Sequence, residues 1–65
     1  MWIRTQGGYL LNLDRVDFIK LDSDVTVAYA NGLAHVIGEG DLVSTVSGAI
    51  RCNTTILEVR DYVRN

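Results

Sequence analysis

Residues 27–37 read Val-Ala-Tyr-Ala-Asn-Gly-Leu-Ala-His-Val-Ile (VAYANGLAHVI), and the reading of this stretch decides the fold class. Asn31-Gly32 sits between two runs rich in strand formers. A type I′ turn holds both central residues at positive φ, which glycine tolerates freely and asparagine better than most, so Asn-Gly here signals a two-residue hairpin. Such a turn sets register. It pairs Ala30 with Leu33, Ala28 with His35 and Thr26 with Ile37 on one face, and Tyr29 with Ala34 and Val27 with Val36 on the other.

Working towards the N-terminus, Val16 to Leu21 (VDFIKL) reads as another strand, with Asp22-Ser23-Asp24 as the polar turn after it. A three-residue loop there pairs Leu21 with Val25 and Ile19 with Val27. One face then carries Ile19, Leu21, Val25, Val27, Tyr29 and Val36. It is nearly all apolar and is expected to be the covered face. The other face collects Val16, Phe18, Lys20, Thr26, Ala28, Ala30, Leu33, His35 and Ile37. A loop of two or four residues would flip the first strand, because side chains alternate with a period of two. Further upstream, Trp2 to Gln6 and Tyr9 to Leu13 read as strand arms around the Gly7-Gly8 turn.

Downstream, Gly38-Glu39-Gly40 ends the sheet and Asp41 is placed as a helix N-cap. Leu42, Val43, Val46, Ala49, Ile50, Ile56, Leu57 and Val63 follow, and at helical spacing they fall within an arc of roughly 160°. One amphipathic helix over 41–64 fits this pattern. Asn53-Thr54-Thr55 has poor helix propensity, so a break near 53–55 with a second helix after it fits as well. Strands followed by helix indicate an α+β chain. The expectation is a single domain, 1–65, with a small antiparallel sheet of four or five strands in a meander over 1–38. The C-terminal helix packs on one face of that sheet.

The chain has 65 residues, 48% hydrophobic and 22% charged, a globular balance. A domain of this size buries only about 60% of the surface its unfolded chain exposes, so it needs added support. One cysteine, Cys52, rules out an internal disulfide, and one histidine, His35, rules out the usual Cys/His zinc cluster. Burial against another chain is the support that remains. The formal charge of −2 and the lack of a Lys/Arg run disfavour nucleic acid as a partner. No apolar run spans a bilayer and MWIRTQGG lacks a signal-peptide core, so a cytoplasmic location without membrane contact is expected.

Catalytic chemistry finds little to work with. His35 has Ala28, Leu33 and Ile37 as same-face neighbours in the expected register, and no carboxylate is placed to orient it as a base. Cys52 has Arg51 beside it but no base near in sequence, so it reads as structural. The carboxylates at 14, 17, 22, 24, 39 and 41 cluster at turns without the spacing of a calcium loop. Gly38-Glu39-Gly40 lacks the Lys-Ser/Thr of a phosphate loop. No catalytic residue, metal site or cofactor is expected, and the chain is read as a non-enzyme. Trp2, Tyr9, Phe18 and Tyr29 read as core and interface mass, with base stacking beside Arg4 and Lys20 as the alternative.

The opening MWIRTQGGYLLNLDRV resembles a set of short uncharacterised bacterial and phage-borne proteins that begin Met-Trp-Ile-Arg-Ser/Thr-Gln. The likeness is close from Met1 to about Asn12 and holds only in outline beyond it. Those proteins continue into a hairpin and finish with a helix after a Leu-Gly-x-Tyr-like connection, where this chain has Val36-Ile37-Gly38-Glu39-Gly40 without the tyrosine. A looser similarity joins it to the small flagellar-operon FlbD-like proteins, which share the length, the Asn-Gly hairpin and the helical end. Their Leu-Asn-Gly opening is missing here. Both resemblances imply architecture and carry no activity.

The functional expectation is a small non-enzymatic interaction or accessory module, acting as a homo-oligomer and open to a protein partner. The alternative is a nucleic-acid-binding accessory protein of bacterial or phage origin. The residues expected at the partner interface are Trp2, Phe18, Leu33, His35, Ile37, Ile56 and Val63.

Overall fold

The computed structural model describes residues 1–61. The elements in chain order are β1 (Trp2–Arg4), β2 (Leu10–Asn12), β3 (Phe18–Asp22), β4 (Val25–Ala30), β5 (Leu33–Glu39), α1 (Val43–Arg51) and β6 (Ile56–Glu58). Short 3-10 turns occupy Leu13–Arg15 and Val59–Asp61. The α+β class holds. The strands do not form one meander, however: they make two three-stranded sheets, ordered β2-β1-β6 and β3-β4-β5.

The Asn31-Gly32 turn forms as the sequence implies, with φ of 54° and 79° at its central residues. Ala30 pairs with Leu33, Ala28 with His35 and Val27 with Val36. Beyond that point Thr26 pairs with Gly38, which leaves Ile37 as an extra residue on β5. The bulge frees the Ile37 backbone from β4, and its carbonyl instead accepts the Gln6 N–H at 2.8 Å. The Gln6 side chain accepts the Glu39 N–H at 2.8 Å and donates to the Glu39 carboxylate at 3.1 Å. The bulge is therefore where the two sheets are tied together, a common use of an extra strand residue.

At the other end of β4 the turn holds two residues, Ser23 and Asp24, and Asp22 pairs with Val25. Ser23 accommodates it at a φ of 56°. The sequence reading assumed a three-residue loop, and the one-residue difference exchanges the faces of β3. Phe18 now lies opposite Tyr29, Ile19 opposite Ala28 and Lys20 opposite Val27. The covered face also differs from expectation. Thr26, Ala28 and Ile37 are fully buried, and Ile19 packs against the core from the same side. Val25, Val27, Tyr29 and Val36, expected beneath a helix, share the outward face with Phe18 and Lys20, although Val27 is buried there and Val25 and Tyr29 are half-buried. The hairpin register already sets Thr26, Ala28 and Ile37 on one face, and it is this face on which the second sheet and α1 pack.

The C-terminal part departs most from the helical reading over 41–64. Helix α1 stops at Arg51, and the chain after it returns as β6, running parallel to β1 with Trp2 opposite Ile56 and Ile3 opposite Leu57. The stop is local chemistry. Asn53 takes a φ of 55°, its N–H donates to the Ile50 carbonyl at 3.1 Å, and the Thr54 N–H reaches back to the Ala49 carbonyl at 3.0 Å. These are the paired bonds of a Schellman ending, which asparagine enters with less strain than most residues. Asp41 sits one position before the N-cap: Leu42 is the cap residue, and the Asp41 carboxylate accepts the Val43 N–H at 3.1 Å.

The core lies between the two sheets and is closed by α1. Ile3, Leu11 and Leu57 come from one sheet, Ala28 and Ile37 from the other, and Leu42, Val46 and Ala49 from the helix. Val59, fully buried, joins the same cluster from the 3-10 turn after β6. Fully buried Thr26 joins sheet to helix, its hydroxyl donating to the Gly40 carbonyl and accepting the Leu42 N–H, each at 2.7 Å. Among the described residues no helix is long and apolar enough to cross a membrane.

Candidate partner interface

Two sheets packed face to face each keep an outer side, and both outer sides carry apolar residues. On β2-β1-β6 the register puts Trp2 beside Ile56, and Arg4 between Leu10 and Glu58. The Arg4 guanidinium donates to the Glu58 carboxylate at 2.9 Å across this face. Apolar and charged side chains are thus interleaved there.

The outer side of β3-β4-β5 is more continuous. The rings of Phe18 and Tyr29 stack with centroids 4.8 Å apart and planes inclined by 16°. The Lys20 ammonium stands 5.6 Å from the Tyr29 ring centre, a cation–π distance. The Tyr29 hydroxyl donates to the Asp22 carboxylate at 3.2 Å, and the Tyr9 hydroxyl reaches the Val36 carbonyl at 3.4 Å. Val36 stands beside Val27 with half its surface exposed. Both helix and second sheet lie on the opposite side, and among the described residues no element packs on this face, although Val27 within it is buried, at 5% exposure.

β3 is also the edge of its sheet, paired on one side only. Asp22 and Val25 flank a two-residue turn and therefore exchange backbone hydrogen bonds, and the antiparallel alternation repeats this at Lys20 and Phe18. The N–H and C=O groups of Ile19 and Leu21 consequently point away from β4. An edge of this kind is a template for another strand.

A cleft of about 770 Å³ runs between α1 and the start of β3, with Leu13, Val16, Ile19, Val43 and Ile50 among its apolar lining. Asp14 and Asp17 stand at its margin. A second cleft of about 550 Å³ lies between α1 and β6, where exposed Cys52 is found.

The structure separates the residues expected at the interface. Trp2 and Ile56 are neighbours on one sheet, while Phe18 lies on the outer face of the other. Among the described residues Leu33 is the most exposed large apolar one, at 62%, beside the hairpin tip. His35 is half-buried on the core side of β5, opposite Ala28, and lines neither cleft. Among the described residues no carboxylate forms an ion pair with it, and no three His, Cys, Asp or Glu side chains are grouped to hold a metal. Ile37 is a correction: it is wholly enclosed in the core and unable to meet a partner. Val63 lies outside the described residues.

Sequence reasoning missed Tyr29, Val36 and Leu21 as surface residues. Tyr29 and Val36 stood on the alternating apolar face that a core would be expected to claim, but the second sheet and α1 pack on the other face of the hairpin. In comparisons with known proteins, no family model, curated protein or solved structure matches the chain.

Proposed function

We infer that this chain is a small non-enzymatic interaction module that associates with copies of itself. The observation that carries the reading is the set of nine large apolar side chains among the described residues, Trp2, Tyr9, Leu10, Phe18, Leu21, Leu33, Val36, Ile50 and Ile56, that keep 42% to 62% of their surface exposed. Scattered exposed apolar residues are ordinary, but here Phe18, Tyr29 and Val36 share one uncovered sheet face. That face adjoins the unpaired β3 edge, so apolar area and free backbone groups are offered together. Sedimentation velocity over a dilution series tests it: a rising sedimentation coefficient with concentration is expected, and a folded monomer at every concentration overturns the reading.

A second reading has an observation of its own. The stacked Phe18 and Tyr29 rings on an open sheet, with Lys20 beside them, form the kind of platform on which single-stranded bases stack. The formal charge of −2 weighs against it. Binding to labelled single-stranded DNA that weakens steeply with salt would establish it, and no binding at low salt would remove it.

A further inference from the structure

We propose that two copies of this chain join edge to edge through β3, antiparallel about a two-fold axis at Leu21, to make one six-stranded sheet. The proposal rests on the self-association inferred above and assigns it a surface and a register.

Three features of β3 carry it. The strand has one partner, and the N–H and C=O groups of Ile19 and Leu21 face outward. Leu21 keeps 44% of its surface exposed on the side of the strand that faces the core, beyond the lining of either cleft. Lys20 and Asp22, of opposite charge, share the other face, two residues apart.

Symmetry narrows the register. In an antiparallel pair, residues directly opposite share a face, so a two-fold axis must pass through one residue of the strand. An axis at Ile19 pushes the partner strand towards the cleft wall formed by α1 and the 3-10 turn at Leu13–Arg15. An axis at Lys20 sets Lys20 against Lys20 of the second copy, like charges in the closest kind of cross-strand pair. An axis at Leu21 sets Lys20 against Asp22 of the second copy, twice by symmetry, on the outer face. The two Leu21 side chains then meet on the inner side while their backbones exchange two hydrogen bonds. The charge pattern of this strand is thus complementary to itself in one register.

The joined sheet presents two Phe18–Tyr29 stacks on one surface, about 20 Å apart along the strand direction. With so few rungs the contact belongs to the small, weak class of interface, so the dimer forms and dissociates in the micromolar range.

Charge reversal and cross-linking test the assignment, using the full chain with Cys52→Ser as background for the cysteine variants. Lys20→Asp places acid against acid twice and is expected to weaken dimerisation about tenfold. The swap Lys20→Asp with Asp22→Lys restores the pairing and is expected to recover most of that loss. Circular dichroism spectra matching the unsubstituted chain show that the variants fold. Leu21→Cys is expected to oxidise to a disulfide dimer, because facing residues of a hydrogen-bonded pair lie about 5.5 Å apart at Cα, within disulfide reach. Leu33→Cys, exposed on the opposite edge, measures collision alone and is expected to stay mostly monomeric. A dimer that ignores the charge changes and cross-links no better at residue 21 than at residue 33 overturns the β3 assignment and leaves self-association standing. Cross-linking at Lys20→Cys in preference to Leu21→Cys overturns the register. A chain that never dimerises overturns both this proposal and the reading beneath it.

Discussion

Replacing Thr26 by valine removes one hydroxyl and almost nothing else. The side chain is fully buried, and its Oγ1 serves two backbone groups at 2.7 Å each, donating to the Gly40 carbonyl and accepting the Leu42 N–H. Valine has the same shape, so no cavity opens, but the Leu42 N–H and the Gly40 carbonyl lose this partner. The Leu42 N–H bond is buried, and leaving that donor unpaired costs about 1–3 kcal/mol; the part-buried bond to the Gly40 carbonyl adds about 1 kcal/mol, so Thr26→Val is expected to lose about 2–4 kcal/mol. A domain of this length has about 3–10 kcal/mol in all, at roughly 0.05–0.15 kcal/mol per residue. Thr26→Ser is the control. It keeps both hydrogen bonds and loses one buried methyl group, which costs about 1 kcal/mol. The assay is urea unfolding at one low protein concentration, so that association does not alter the comparison. With a slope near 1 kcal/mol per molar for a small domain, the midpoint of Thr26→Val falls by about 2 M or more. A valine variant as stable as the serine variant, or more so, refutes the idea that this hydroxyl ties β4 to the start of α1.

Aspartate at Leu33 and at Ile37 separates surface from core on one strand. Leu33→Asp is expected to change stability by no more than about 0.5 kcal/mol, whereas Ile37→Asp buries an uncompensated charge and is expected to unfold the chain at 25 °C, both read by circular dichroism. At Asn53, whose φ is 55°, glycine is expected to match or exceed the present stability, and alanine to lose about 1 kcal/mol in thermal unfolding. Glu58→Gln breaks the 2.9 Å pair with Arg4, which is partly exposed on both sides; the expected cost is below about 1 kcal/mol and shrinks further near 1 M salt. A larger cost that ignores salt would show that the pair does more than join two surface strands.

The parts of the fold that the sequence makes legible are local. Asn31-Gly32 predicts its own hairpin because both residues tolerate positive φ, and the register follows as far as Val27 and Val36. The register fails where the signal is ambiguous. Asp22-Ser23-Asp24 serves a two- or a three-residue turn equally well on composition, and the difference of one residue decides which side of β3 faces water. Strand β6 is hidden for another reason. Ile56, Leu57 and Val63 suit the helical spacing of the preceding residues, and β6 exists because Trp2, 54 positions earlier than Ile56, supplies a parallel partner. No periodicity within residues 56–58 records that pairing.

The candidate interface divides along the same line. A short chain with one cysteine and much apolar surface raises the expectation of a partner, and that much is composition. Which apolar residues remain outside is a property of packing. Ile37 and Val36 are adjacent and alike in chemistry, yet one is enclosed and the other half-exposed, because neighbouring strand residues point to opposite faces and the second sheet and α1 pack on the Ile37 side.

By itself the sequence determined the class of fold and the central hairpin, since both depend on the conformational preferences of residues close to one another in the chain. Tertiary structure alone decided the division into two sheets, the inward face and the free β3 edge. Those outcomes depend on which distant strand supplies the hydrogen bonds and which side the core claims, and neither is fixed by any short run of residues.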